Sequence, residues 1–154
     1  MTKKYVIWDL DGTIADNSHR LPLIDRNRAG GPDWEAFYQA CDKDIPIEEG
    51  VAVLRLFWKS DKYKNIFLTG RKETVRDKTR AWLRKVLEPI QAEITLLMRP
   101  EKDHRPDYQV KAELIEKAGI KPEEIVLAFD DRNQVVDMWR KKGVACYQVK
   151  DGDY

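Results

Sequence analysis

Short apolar runs alternate with amphipathic stretches along most of the chain. Five runs, each of about five residues and rich in β-branched or aromatic side chains, have the composition of strands covered on both faces. These predicted strands are Tyr5–Asp9, Asn65–Leu68, Ile94–Met98, Ile125–Phe129 and Val144–Val149. Apolar residues at helical spacing predict helices between them, over Glu48–Lys59, Glu73–Leu87, Asp107–Ala118 and Val135–Lys142. Strands that alternate with helices predict an α/β fold with a parallel sheet and right-handed crossovers.

One long segment interrupts this alternation, because the chain from Gly12 to Lys64 is too long for a single crossover helix. Its stretch 26–32 is rich in Gly and Pro, which is typical of a loop. Asp33 follows and is placed to cap a short helix over Trp34–Cys41. We interpret residues 14–47 as a small insertion, either a surface excursion or a lid, within a single domain that spans residues 1–154.

Composition and charge narrow the class of protein. The chain is 42% apolar with a net charge of +1, which excludes a disordered chain, a basic nucleic-acid tail and an acidic tail. Cys41 and Cys146 are far apart and no CxxC pair exists, so we expect reduced thiols and neither a zinc ribbon nor a disulfide framework. No signal peptide and no apolar run of about 18 residues are present, which predicts no membrane association and a cytoplasmic location.

Pairs of acids follow two of the predicted strands. The first strand ends in Asp9-Leu10-Asp11-Gly12-Thr13, and the fourth ends in Asp130-Asp131. Parallel sheets bind ligands at the carboxyl ends of their strands, and acids that converge there need a cation to offset their repulsion. Hard oxygen ligands favour Mg²⁺. The alternative for each pair is a helix cap or a set of surface acids.

The second strand ends in Thr69-Gly70-Arg71. A hydroxyl, a backbone N–H exposed at glycine and a guanidinium group suit the oxygens of a phosphoryl group. An ordinary turn between strand and helix is the alternative interpretation.

These motifs resemble, in order and spacing, those of the haloacid-dehalogenase-like (HAD) phosphohydrolase superfamily. Residues 9–13 resemble its first motif, DxDGT, while Thr69, Lys111 and Asp130-Asp131 stand where its second, third and fourth motifs have Ser or Thr, Lys and acids. The resemblance covers essentially the whole chain. It implies a Rossmann-like three-layer sandwich with five strands in the order 3-2-1-4-5, and Mg²⁺-dependent phosphatase activity through an aspartyl-phosphate.

A narrower resemblance concerns residues 130–140 and the ending Gly152-Asp153-Tyr154. These are closely similar to the phosphatase domain of phage polynucleotide kinase-phosphatases, and Arg20 and Arg71 stand where those enzymes have functional arginines. The substrate implied is a 3′-phosphate on a nucleic-acid end or a nucleotide. No GxxxxGK[ST] loop is present, so a 5′-kinase activity is not expected.

The resemblance also implies roles for individual residues. Asp9 is expected to be the nucleophile and Asp11 the general acid and base, kept protonated by neighbouring acids, with Thr69 and Lys111 completing the catalytic set. The carboxylate of Asp9, an acid of the pair Asp130 and Asp131, and the backbone carbonyl of Asp11 are expected to hold the Mg²⁺. The expected substrate-binding residues are Arg20, Gly70, Arg71, Asp107 and Arg132.

The sequence also offers candidates for binding a base, and it leaves other functions open. Trp34 and Tyr38, in the insertion, are candidates for stacking on a base. A 5′-nucleotidase or a general small-molecule phosphatase would carry the same motifs, because all phosphomonoesters share the scissile group. An inactive interaction module on the same fold is the non-enzymatic alternative, and the intact motifs count against it.

Overall fold

The computed structural model describes residues 2–154, which form seven strands and five α-helices. The strands are β1 (Tyr5–Trp8), β2 (Ala15–Asp16), β3 (Ile45–Pro46), β4 (Lys64–Lys72), β5 (Thr95–Arg99), β6 (Ile125–Asp130) and β7 (Cys146–Gln148). The helices are α1 (Trp34–Gln39), α2 (Glu48–Trp58), α3 (Arg76–Leu87), α4 (Asp107–Lys117) and α5 (Asn133–Lys141).

Five of the strands form one parallel sheet in the order β5-β4-β1-β6-β7. Numbered among themselves along the chain, these five lie in the order 3-2-1-4-5. The remaining two, β2 and β3, pair antiparallel with each other. The sequence did not predict them, because strands of two residues are too short to produce an alternating pattern. The α/β class predicted from the sequence is confirmed.

Helices cover the sheet on both faces. Val6 and Trp8 of β1 lie in one apolar cluster, together with residues of α2 and α3. Ile7 points to the opposite face and joins the other cluster, together with residues of α4 and α5. Successive side chains of a strand point to opposite faces, so a short apolar run serves both clusters at once. The result is the predicted three-layer, Rossmann-like arrangement.

Strand β4 is longer than the sequence predicted. We expected Thr69-Gly70-Arg71 to follow the strand, whereas β4 continues through Lys72. The register with β5 is irregular after Thr69, and pairing resumes between Lys72 and Arg99. Gly70 and Arg71 therefore lie in an irregular stretch of the strand, between two positions that are paired with β5.

The insertion over residues 14–47 consists mainly of short elements. It contains β2, a 3-10 helix over Ser18–Ile24, α1, a second 3-10 helix over Ala40–Lys43, and β3. The side chain of Asp33 accepts a hydrogen bond of 2.9 Å from the backbone N–H of Ala36, which is the predicted cap of α1. Because β3 pairs with β2, the insertion ends beside its own beginning. Its role as a lid stays a prediction.

None of the helices in residues 2–154 is long and apolar enough to cross a membrane.

Candidate active site

The turn after β1 brings the first acidic motif against the end of β6. Gly12 has φ of +87°, a conformation that side chains disfavour. A Cβ atom at Gly12 would lie 2.2 Å from Oδ2 of Asp131. Only glycine therefore fits where this turn passes the acidic end of β6.

Three carboxylates converge at this point. Asp9, Asp130 and Asp131 each offer an oxygen, and these oxygens lie within 4.8 Å of one another. All three side chains are buried. The convergence follows from the sheet order, because β1 and β6 are parallel neighbours and their carboxyl ends meet.

Lys111 of α4 is the cation that contacts this cluster most closely. Its Nζ donates to Oδ1 of Asp9 and to Oδ2 of Asp130, each at 2.8 Å. Burial by itself lowers the pKa of Lys111, but attraction by Asp107, Asp130 and Asp9 outweighs burial and leaves that pKa well above its usual range. The lysine is therefore charged.

The cluster as a whole carries an excess of negative charge. Burial, followed by repulsion from Asp130, raises the pKa of Asp9 well above its usual range, and the attraction of Lys111 offsets only part of this. Burial and the charge of Asp130 likewise raise the pKa of Asp131. Three buried carboxylate groups with hard oxygen atoms, and one ammonium group to balance them, fit a divalent cation such as Mg²⁺.

Asp11 lies apart from this cluster, although it is only two residues from Asp9. Its Oδ1 accepts hydrogen bonds from Arg20 Nη2 at 2.7 Å and from Arg71 Nη2 at 2.6 Å. Burial raises the pKa of Asp11, but attraction by Arg71 and then by Arg20 outweighs burial, so the pKa is lowered. The expectation that neighbouring acids keep Asp11 protonated was wrong, because the groups that contact its carboxylate are guanidinium groups.

Arg20 and Arg71 have no exposed side-chain surface. Besides Asp11, both guanidinium groups contact the buried carboxylate of Asp44. The hydrogen bonds they make in this structure are within the chain, and their role as substrate ligands stays a prediction.

The motif in β4 lies beside the start of α4. Thr69 is buried, and its Oγ1 accepts a hydrogen bond of 3.1 Å from the backbone N–H of Arg71. A Cβ atom at Gly70 would lie 2.4 Å from Oδ1 of Asp107, so any side chain there would have to displace the Asp107 carboxylate. Asp107 is in turn 3.4 Å from Lys111 Nζ, as its spacing of four residues on a helix suggested.

The last predicted site residue, Arg132, lies beside the C-terminal segment. Its Nε donates to the backbone oxygen of Tyr154 at 2.8 Å, and its Nη1 is 3.8 Å from Oδ2 of Asp107. The hydroxyl of Tyr154 contacts the carboxylate of Asp131. The structure thus brings the acids, Lys111 and Asp107 into one cluster and places Arg132 at its edge.

A protein-family model, the polynucleotide kinase PNKP phosphatase domain, matches residues 3–154. The chain belongs to this family. Membership places it among the phosphoric monoester hydrolases of the HAD superfamily, as the sequence motifs indicated.

Two of the proteins similar to this chain are considerably longer than it. A protein of Autographa californica nuclear polyhedrosis virus, named as a bifunctional polynucleotide kinase/RNA ligase, is 27% identical over 135 residues, which cover 88% of this chain and 17% of the viral protein. A chain of the Pnkp1/Rnl/Hen1 RNA repair complex is 32% identical with a TM-score of 0.77, and the match covers 99% of this chain and 44% of that one. This chain therefore spans less than half the length of either relative.

The fold is also shared with more distant proteins. A HAD family enzyme from Bacteroides thetaiotaomicron, solved in complex with magnesium and inorganic phosphate, matches with a TM-score of 0.55 and 17% identity over 99% of this chain and 96% of that chain.

The site contains further polar and charged residues that sequence reasoning missed. Asp44 contacts both buried arginines, and Arg99 donates to the backbone oxygen of Gly70 at 3.0 Å and to Asp107 at 3.3 Å. Thr13 was seen only as part of the first motif, yet its hydroxyl donates to Oδ2 of Asp9 at 3.1 Å. Neither Asp44 nor Arg99 lies in a motif, so no pattern in the sequence distinguished them from surface charges.

Proposed function

We propose that this domain is a Mg²⁺-dependent 3′-phosphatase that hydrolyses phosphomonoesters at nucleic-acid ends or on nucleotides through an aspartyl-phosphate. The observation that carries the proposal is the position of Asp9, held by Lys111 in a buried acidic cluster at the carboxyl end of the sheet. Family membership supports the choice of phosphoryl chemistry. The names of the relatives, a polynucleotide kinase and an RNA repair complex, support a nucleic-acid substrate.

The residues that would hold Mg²⁺ are Asp9, Asp130 and Asp131, together with the backbone carbonyl of Asp11. When bound, the ion would offset the repulsion between the anionic nucleophile and the anionic substrate. The distant relative solved with magnesium and phosphate is consistent with this assignment.

In the first step a carboxylate oxygen of Asp9 attacks the phosphorus. The bond between phosphorus and the ester oxygen breaks, and Asp11 donates a proton to that leaving oxygen. The hydrogen bonds from Lys111 and Thr13 to the two oxygens of Asp9 fix the direction of attack. Lys111 also balances negative charge beside the nucleophile.

In the second step Asp11 removes a proton from water, which attacks the phosphorus of the aspartyl-phosphate and releases phosphate. The lowered pKa of Asp11 keeps its carboxyl group ionised, which is the form that can accept this proton. In the first step, a substrate dianion placed beside the carboxyl group would raise its pKa and favour the protonated form.

Thr69, Gly70 and Arg132 complete the proposed phosphate site. The Thr69 oxygen already accepts the Arg71 N–H, so its hydroxyl proton can be donated to a phosphoryl oxygen. Gly70 has no side chain to displace the neighbouring Asp107 carboxylate, and Arg132 lies beside the cluster with a partly exposed side chain. Asp107 would keep Lys111 and Arg132 in position.

The insertion supplies an aromatic surface for a nucleobase. Trp34 is 50% exposed, and its ring lies 6.2 Å from that of Tyr38. The Nζ of Lys72, at the end of β4, is 5.5 Å from the centre of the Tyr38 ring. An aromatic pair beside a cation suits a base and the phosphate attached to its sugar.

A cytoplasmic location is part of the proposal. Cys41 and Cys146 are both buried and free, as expected of thiols in a reducing compartment.

The substrate proposal is tested with the 3′- and 5′-monophosphates of one nucleoside, followed by short DNA and RNA oligonucleotides that carry each phosphate. We expect kcat/KM to be at least about tenfold higher for the 3′-phosphate, equivalent to ~1.4 kcal/mol. The Asp9→Asn variant, purified in parallel, measures any contaminating phosphatase. Equal rates, or a preference for the 5′-phosphate, would contradict the 3′ assignment and favour a 5′-nucleotidase or a general phosphatase.

A further inference from the structure

Beneath Asp11, the expected acid and base, lies a buried group of charged side chains, which we call the clamp: Arg20, Asp44 and Arg71. The carboxylate of Asp44 has no exposed surface and bridges both arginines. Arg20 donates from Nε to Oδ1 of Asp44 at 2.8 Å and from Nη2 to Oδ2 at 2.7 Å. Arg71 donates from Nη2 to the same Oδ2 at 2.8 Å.

The two arginines held in this way meet on a single oxygen of Asp11. Arg20 Nη2, Arg71 Nη2 and Arg71 Nε donate to Oδ1 of Asp11 at 2.7, 2.6 and 3.0 Å. Within residues 2–154 no hydrogen bond joins the other oxygen, Oδ2, and the Asp11 side chain is 23% exposed. One oxygen of the carboxylate is therefore fixed by the clamp, and the other is left for proton exchange.

Charge balance makes Asp44 necessary to this arrangement. Two guanidinium groups lie side by side with no exposed surface, and two carboxylates neutralise them. Without the charge of Asp44, one carboxylate would face two buried cations, which repel each other. The arginines would then separate, and the position of Asp11 Oδ1 would be lost.

The surroundings hold Asp44 in place independently of its carboxylate. Its backbone oxygen accepts a hydrogen bond of 2.7 Å from Trp82 Nε1. Arg20 also stacks on the ring of Phe37 at 4.4 Å, and Arg71 Nη1 is 3.3 Å from Thr79 Oγ1. One further contact does involve the carboxylate, because His19 Nε2 lies 2.7 Å from Oδ1 of Asp44. A substitution that removes only the charge of Asp44 therefore leaves many of the packing contacts intact.

We propose that Asp44 is a positioning residue for proton transfer: by holding Arg20 and Arg71, it fixes Asp11 so that Oδ2 meets the leaving oxygen. Asp44 itself touches neither the substrate nor the reacting atoms. The inference rests on the proposed function, because it takes Asp11 to be the general acid. It also gives the insertion a task other than covering the site, since both Arg20 and Asp44 belong to residues 14–47.

The test compares two leaving groups on Asp44→Asn. A nucleoside 3′-phosphate releases an alkoxide, which needs a proton as the bond breaks, whereas p-nitrophenyl phosphate releases a weakly basic phenolate, which does not. General acid catalysis contributes about 10²–10⁴-fold. We expect Asp44→Asn to lower kcat/KM for the nucleoside phosphate at least about tenfold more than for p-nitrophenyl phosphate. The ratio kcat/KM reports the first transfer, so hydrolysis of the aspartyl-phosphate does not enter.

Two controls separate positioning from folding. Asp42→Asn changes an exposed acid two residues earlier, in the 3-10 helix that ends just before Asp44, and both substrates should keep their rates. A smaller folded fraction in Asp44→Asn, followed by circular dichroism and thermal unfolding, lowers both rates equally and cancels in their ratio. Arg20→Lys is the second variant, to be used if Asp44→Asn does not fold. Lysine lacks the planar guanidinium group that bridges Asp11 and Asp44, so this variant should show the same selective loss of activity on the nucleoside phosphate.

Equal loss on both substrates, or no loss on either, would overturn the positioning role of Asp44. Failure of the proposed function can be distinguished from failure of this inference. A wild-type enzyme that prefers 5′-phosphates would contradict the 3′ assignment. The comparison of the two leaving groups would still test Asp44, because a 5′-nucleotide also releases an alkoxide. A wild-type enzyme inactive on every ester with Mg²⁺ present would overturn both proposals.

Discussion

At the residue scale, buried charge distinguishes this sheet edge from an ordinary one. Asp9, Asp130 and Asp131 are all buried, although unpaired buried charges are strongly unfavourable. Lys111 contacts two of them and compensates for only part of the excess. An arrangement of this kind is stable once a cation or a protonated carboxyl group restores the balance, which is the situation a phosphoryl-transfer site exploits.

The substitution Asp9→Asn is expected to abolish turnover and leave the fold intact. The amide is nearly isosteric, and its oxygen can still accept the hydrogen bond from Lys111, but it is a poor nucleophile and a weaker ligand for Mg²⁺. Steady-state kinetics on a 3′-nucleotide and circular dichroism check the two halves of this prediction. A variant whose turnover stays within about tenfold of the wild type, with deamidation excluded by mass spectrometry, would show that Asp9 is not the nucleophile.

At the element scale, the ends of adjacent strands assemble the site. Strands β4, β1 and β6 are parallel neighbours, so Thr69, Asp9 and Asp130 reach the same edge although the chain between them is long. The insertion begins beside this edge, after β1, and its helix α1 carries the aromatic pair. The proposed recognition of a base therefore depends on an element that contributes nothing to the parallel sheet.

Removal of the exposed ring in Trp34→Ala is expected to weaken binding of polymeric substrates. Stacking of one base on an aromatic side chain contributes about 1–3 kcal/mol, so KM for a 3′-phosphorylated oligonucleotide should rise about fivefold or more. The kcat/KM for p-nitrophenyl phosphate should not change, because that ester has no base. Leu56→Ala, at an exposed apolar residue on α2, is the matched control and should alter neither substrate. An unchanged KM for the oligonucleotide in Trp34→Ala would exclude stacking at this position.

At the scale of the whole molecule, charge is nearly balanced, with 28 basic and 27 acidic residues. Long-range attraction of a nucleic-acid backbone is therefore weak. Under the proposed function we therefore expect recognition to depend on the local site and to favour a nucleotide or a short strand end over a long duplex.

Activity of the whole domain is expected to require Mg²⁺ and to disappear with a chelator. The cluster carries an excess of negative charge on hard oxygen atoms, so binding of Mg²⁺ should also raise the melting temperature of the wild type. The effect on Asp9→Asn should be smaller, because that variant lacks one of the carboxylates. Zinc should substitute poorly, since it favours tetrahedral sites with nitrogen and sulfur ligands. Full activity after exhaustive chelation, or equal stabilisation of the variant, would contradict the metal assignment.

The sequence by itself determined the α/β class, the five strands of the main sheet and the acids at their ends. Each of these depends on neighbouring positions: apolar runs of strand length, helical spacing between them, and polar residues directly after a strand. Asp9 and Asp130 were predicted in this way and Lys111 from the resemblance to the superfamily's third motif, and the structure brings the three together.

Only the tertiary structure decided what surrounds Asp11. Asp44 lies 27 positions from Arg71, and Asp11 lies 60 positions from it, so no local pattern records that these residues meet. The direction of the Asp11 pKa shift followed from that meeting and was opposite to the one expected from its acidic neighbours in sequence. Local periodicity depends only on residues close together in the sequence, whereas a buried ion pair depends on the path of the whole chain between its partners.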